Sequence, residues 1–161
     1  MGKNQWYSTV ATISLTMCAV LQIWSYVAAI QCIDATMRIE EYLNMGSFTT
    51  GLFYLFFAFA FNFCVAHMEP CGYHITALVM TALHLMCALI LMVLSVNPDE
   101  TIYVSMVVAL VNLPVNVFAN SLAAGWDAAL IGVVFYAANF MVYFYCRSRM
   151  RAGKAAGGYT N

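Results

Sequence analysis

Charge is what this chain has least of. Asp, Glu, Lys and Arg make up only 8% of its 161 residues, whereas a soluble domain carries roughly a quarter. The few charges also leave long stretches untouched: none lies from Asn4 to Ile33, Leu43 to Met68, Pro70 to Pro98 or Ala128 to Cys146. Each run reaches the roughly 20 residues a helix needs to cross a hydrocarbon core. A soluble fold is excluded, and the chain reads as an integral membrane protein. Its net charge of −1 offers no basic face to nucleic acid, and no glycine-rich phosphate loop occurs. Also missing are a Gly-x-Ser-x-Gly nucleophile motif and a His-Glu-x-x-His zinc motif, so neither an enzyme nor a cofactor is expected.

Of the six cysteines, Cys18, Cys64 and Cys87 lie inside apolar runs and Cys146 at the last membrane turn. Cys32 and Cys71 are expected on opposite sides of the membrane, which leaves no disulfide framework. The first run follows Lys3 like a secretory signal, but it is longer than a signal core of ~7–15 residues and Ala28-Ala29-Ile30 lacks the cleavage pattern. It reads as a retained helix.

The expected architecture is an all-α, antiparallel bundle of four transmembrane helices, with spans near 6–31, 47–66, 74–96 and 126–146. Basic residues mark the non-translocated side. Lys3 precedes the first span, while Arg147, Arg149, Arg151 and Lys154 follow the last. Both termini are therefore expected on the inner side, and the number of crossings is even. The intervening apolar segment 102–124 then fails to cross. Pro114 interrupts it, and Asn112, Asn116 and Asn120 recur every four residues, which would stack them on one helical face. The segment is expected to be a kinked, partly embedded helix on the outer side. The tail 147–161 reads as disordered, basic and attracted to anionic lipid headgroups, with Cys146 beside it as a candidate palmitoylation site.

Helices in lipid associate through small residues and interhelical hydrogen bonds. Gly125, Ala128, Ala129 and Gly132 form the expected packing face of the last span. In the second span Phe53, Phe56, Phe57, Phe59, Phe61 and Phe63 surround the helix with rings. Intramembrane polar residues are the best functional candidates. Counted at ~1.5 Å per residue from the inner ends, Asn62 lies ~8 Å deep, Asn139 ~10 Å and His84 ~15 Å. They are expected to meet inside the bundle, with His84 neutral. The Asn112 row keeps a small pore or carrier open as a reading.

Between the second and third runs stands His67-Met68-Glu69-Pro70-Cys71-Gly72-Tyr73-His74. His67, Glu69, Cys71 and His74 are all legitimate metal ligands, but their spacing departs from the paired patterns of zinc sites, and Pro70 with Gly72 already forces a bend. The stretch reads as a tight inner turn without a metal. Haem is not expected either, because only His84 lies deep in the membrane.

An inside amino terminus, a short acidic first outer loop (34–44), this very short inner turn, a longer second outer loop and a last span ending at a basic tail together resemble the MARVEL and synaptophysin group of four-span proteins. The resemblance is one of topology. It implies a non-enzymatic protein of the plasma membrane or endomembranes that organises membrane domains through lateral association, with itself or with other membrane proteins. An accessory subunit of a large respiratory or photosynthetic complex in a mitochondrial or plastid membrane is the alternative of a different kind.

Overall fold

The structure is a computed structural model that describes residues 3–34, 45–96, 104, 107–123 and 125–157. The expected outer loops at 35–44 and 97–103 and the last tail residues, 158–161, lie outside the described residues, as do the side chains of Cys32 and Lys154. Five helices carry the fold: α1 (Lys3–Asp34), α2 (Met45–His67), α3 (Gly72–Leu94), α4 (Leu113–Leu122) and α5 (Gly125–Gly157). No strand occurs among the described residues. Among the described residues, four helices are long and apolar enough to cross a membrane, over Asn4–Ile30, Phe48–His67, Gly72–Leu94 and Gly125–Gly153. The chain is an all-α, multi-pass membrane protein.

Helix is the dictated conformation here, because a hydrocarbon layer offers no water to backbone amides and carbonyls. Side-chain hydroxyls obey the same constraint. On α1, Thr9, Thr12, Thr16 and Ser25 donate back to the carbonyls of Gln5, Ser8, Thr12 and Leu21, so none of these hydroxyl protons is left in lipid.

α1 packs chiefly on α2, and α3 on α5, while α2 and α5 join the two pairs. α2 and α3, although connected by the 68–71 turn, touch each other far less. The buried residues of each helix recur at helical spacing: Ala11, Ser14, Cys18 and Ser25 on α1; His74, Ala77, Thr81, His84 and Ala88 on α3; Ala128, Tyr136, Asn139 and Tyr143 on α5. They build two apolar clusters. One, with Phe61, Val65, Met68, Ala77 and Tyr143, sits at the end of the bundle that holds the short turn. The other, with Cys18, Tyr54, Ala88, Val115 and Tyr136, sits toward the opposite end. Between them lies a polar layer.

α4 is ~15 Å long, too short to cross. Pro114 occupies its first turn, where proline's fixed φ suits a helix start. Residues 107–111 are also helical, and the chain bends at Asn112 (φ −105°, ψ 25°). Asn112 bonds to α3 at His84, ~18 Å along that helix from Gly72. Phe118, by contrast, packs its ring 5.0 Å from Phe48 near the start of α2. The kinked segment therefore rises from mid-membrane to the loop end of the bundle.

Gly51 makes this possible. A Cβ there would run into the Cβ of Phe118 and stand 2.5 Å from the carbonyl oxygen of Pro114. α4 lies directly on the bare backbone of α2.

Two expectations need correction. The tail does not lose structure at Cys146: α5 continues unbroken to Gly157, because Arg, Met, Ala and Lys are strong helix formers and outweigh Gly153 and Gly157 among them. Gly125 is not a packing residue. It is exposed, nothing lies within 4 Å of a Cβ placed on it, and its φ of +56° supplies the left-handed residue that turns the chain from α4 into α5. Gly132 and Ala128 are on the interface, with Ala88 of α3 3.6 Å from a Cβ at Gly132 and Ala128 buried; Ala129 is half-buried.

Gly51→Val should overpack the α2–α4 contact at a cost of roughly 1–3 kcal/mol, read as a lower thermal midpoint of the detergent-purified protein. An unchanged midpoint would show that α4 does not rest on Gly51.

Candidate functional site

The polar layer is assembled from all four spans and the kinked segment. Asn62 donates from Nδ2 to Thr81 Oγ1 (3.1 Å) and to Asn139 Oδ1 (3.3 Å), linking α2, α3 and α5. Thr81 donates in return to Asn62 Oδ1 at 3.4 Å, and Asn139 Nδ2 donates to the Phe135 carbonyl. Asn139 is only 1% exposed, so these partners are all it has in place of water.

One helical turn further along α3, His84 has a separate set of partners. Its Nδ1 lies 2.6 Å from the carbonyl oxygen of Met80, which can only accept, so Nδ1 carries a proton. Nε2 faces the Tyr54 hydroxyl at 3.3 Å, and the neutral ring accepts there from Tyr54. The ring packs tilted against Tyr136, with centroids 5.2 Å apart. His84 therefore joins Asn62 and Asn139 in one layer but is not bonded to either. Tyr54, Thr81 and Tyr136 carry no special signal in a membrane sequence; only their positions one or two helical turns from Asn62, His84 and Asn139 could have marked them.

The kinked segment is tied into the same layer by its backbone. Residue 114 is proline, so the Leu110 carbonyl has no i+4 amide to accept from. Gln22 Nε2 (3.1 Å) and the Tyr26 hydroxyl (2.8 Å), both from α1, donate to it instead. Asn116 Nδ2 donates to the Ala109 carbonyl at 2.9 Å, and Asn112 Nδ2 to the His84 carbonyl at 2.9 Å. The expected asparagine stripe does not form. The bend falls at Asn112, which stands before α4 and turns its side chain into the bundle, while Asn120 is exposed near the far end of the helix. Among the described residues, three buried polar atoms have no protein partner: Gln22 Oε1, Asn112 Oδ1 and the Tyr136 hydroxyl.

At the turn end, the four candidate metal ligands are dispersed. His67 hydrogen-bonds the Phe63 carbonyl through Nδ1 and stacks on Tyr7. His74 donates from Nε2 to the Glu69 carbonyl (3.1 Å), and its Nδ1 meets the Tyr143 hydroxyl at 2.8 Å. Cys71 is exposed and takes the extended conformation just before α3. Among the described residues no three His, Cys, Asp or Glu side chains gather where they could hold a metal ion. Arg147 is not a free lipid-facing cation, because its guanidinium donates to the Met68 carbonyl at 2.6 Å and so locks α5 onto the turn. Arg149 lies over the Tyr145 ring and donates to its hydroxyl, and Arg151 is exposed. Cys146 is half-buried against the turn-end cluster.

Outside the bundle the chemistry is apolar. Phe53, Phe56, Phe59 and Phe63 face outward along α2, whereas Phe61 and Tyr54 are buried. Leu52, Phe53, Leu55, Phe56 and Phe59 with Phe135 of α5 line an open groove of about 560 Å³. No family model, curated protein or solved structure matches the chain.

The Leu110 carbonyl supplies a test of how the kinked segment is held. Gln22→Leu and Tyr26→Phe together should cost about 1–3 kcal/mol by leaving a carbonyl at membrane depth without a donor, and either alone should cost much less. Equal losses from the singles and the double, measured by thermal unfolding in detergent, would contradict the shared-acceptor arrangement.

Proposed function

We propose that the chain is a non-enzymatic membrane protein that organises membrane domains or assemblies by lateral association. The observation that carries this reading is the ridge of rings on α2. Phe53, Phe56, Phe59 and Phe63 are 52%, 61%, 44% and 37% exposed, and the groove beside them is lined only by Leu and Phe. Aromatic side chains are enriched where membrane and soluble proteins meet partners, since each offers a large contact area for two rotatable bonds. Asn62, Thr81 and Asn139, and likewise Tyr54 and His84, are in contrast turned inward onto one another. The MARVEL-like topology belongs with the same reading, as does residence in the plasma membrane or an endomembrane.

The expected orientation, with both termini on the cytoplasmic side, rests on the basic residues of α5. That helix is ~50 Å long against a hydrocarbon core of ~30 Å, so its last turns stand beyond the core. Arg149 and Arg151 on those turns are placed to meet anionic headgroups, at about 1 kcal/mol each. The pore reading is weakened because the amides of Asn112 and Asn116 are committed to backbone carbonyls.

Purification in mild detergent followed by native mass measurement should give homo-oligomers or lipid-dependent clusters that Phe56→Ala with Phe59→Ala disperses. A stoichiometric large complex of other proteins would instead make the chain an accessory subunit. A cysteine added to the tail should react with an impermeant thiol reagent only from the cytoplasmic side; labelling from the opposite side would refute the orientation.

A further inference from the structure

Four spans line a small, partly open cavity in the polar layer, of about 30 Å³, whose polar lining is Tyr54, Asn62, Thr81, His84, Tyr136 and Asn139. We propose that this cavity is a hydration site, holding one or two water molecules that complete hydrogen bonds the protein leaves unmade.

Size comes first. A water molecule needs roughly 10–15 Å³ of such space, so the cavity accepts one or two and has no room for an organic ligand. The second observation is a group without a partner: the Tyr136 hydroxyl is buried, belongs to a residue that lines the cavity and 4% of whose surface is exposed, and makes no hydrogen bond within the protein. Thirdly, three of the bonds around the cavity are long, although Asn62 to Thr81 Oγ1 is an ordinary 3.1 Å. Tyr54 to His84 measures 3.3 Å, Asn62 to Asn139 3.3 Å and Thr81 to Asn62 3.4 Å, against the 2.7–3.2 Å usual for such pairs. Lone pairs on Tyr54 and Asn62 are thus left with weak partners or none.

The guest must therefore both donate and accept. A bare ion does not meet that need, because no carboxylate or cationic side chain lines the cavity and an uncompensated charge in a low-dielectric interior is prohibitively costly. A cavity stays empty when its walls are wholly apolar; this one has apolar stretches from Leu15, Ala58, Phe61 and Met80, but two phenols, two amides, a hydroxyl and an imidazole also border it. Water in this place joins the Asn62–Thr81–Asn139 cluster to the His84–Tyr54 pair, which the direct bonds leave separate.

Two substitutions distinguish a filled cavity from an empty one by the sign of their effect. Tyr136→Phe keeps the ring and removes only the hydroxyl. If that hydroxyl bonds to water, the thermal midpoint should fall by about 2–4 °C; if it is bare, deleting an unsatisfied buried group leaves the midpoint unchanged or raises it, and the proposal fails. Ala58, another lining residue, provides the second test. Ala58→Val should lower the midpoint by displacing water, and a rise, as expected from filling an empty gap, would overturn the proposal. Infrared spectroscopy of the intact protein gives the direct readout: an internal water O–H stretch that shifts in heavy-oxygen water and is lost in Ala58→Val supports the site, and a spectrum without such a band refutes it even if both variants fold poorly.

Discussion

A backbone carbonyl in the middle of a hydrocarbon layer must find a donor, and that of Leu110 cannot find one in its own helix, because residue 114 is proline. Much of the bundle's asymmetric half follows from this. Gln22 and Tyr26 reach across from α1 to supply the missing protons, which fixes the rotation and height of α1 against the kinked segment. The bend that Pro114 imposes turns Asn112 inward to the His84 carbonyl, and so sets the segment against α3. With its lower end held on two sides, α4 rises along α2 and comes close enough that only glycine fits at position 51. A single missing N–H thus locates an element that the membrane alone would not position.

The same constraint explains why the polar residues are gathered rather than scattered. Apolar packing gives little preference for helix over lipid, so the direction of each span comes from small residues and hydrogen bonds. Ala88 against Gly132 provides the close approach of α3 and α5. The Asn62–Thr81–Asn139 cluster then fixes which residues stand at the same depth. Apolar clusters above and below seal the layer from bulk solvent, which strengthens each bond and raises the cost of breaking one.

The spans were legible in the sequence because their signal is a matter of length and missing charge, and those survive without knowledge of any neighbour. Pro114 likewise announced the break in 102–124, since proline acts through its own backbone. The pairings were not legible. Asn62 and Asn139 stood out as rare residues in the membrane, but Tyr54, Thr81 and Tyr136 look like ordinary span composition, and nothing local tells His84 that its partner is Tyr54. Gly51 was silent for the same reason: its meaning lies in Phe118 and Pro114, more than sixty residues away. The asparagine row and the disordered tail were misread by applying a local rule beyond its range. Periodicity failed across a bend, and glycine count failed against the helix propensity of the residues around it.

The turn at 68–71 shows how residues that suggest one chemistry can serve another. A connection this short brings the Met68 and Glu69 carbonyls to the end of the bundle with no helix of their own to satisfy them. Arg147 takes the first and His74 the second, and Tyr143 holds the other nitrogen of His74. The ligand-rich stretch is thereby consumed in tying α2, α3 and α5 together at one point. This also divides the basic residues that close the chain. Arg147 belongs to the fold, so neutralising it should loosen the turn before it affects any lipid contact, whereas Arg149 and Arg151 lie further out on the same helix, where exchange for neutral residues leaves the bundle intact.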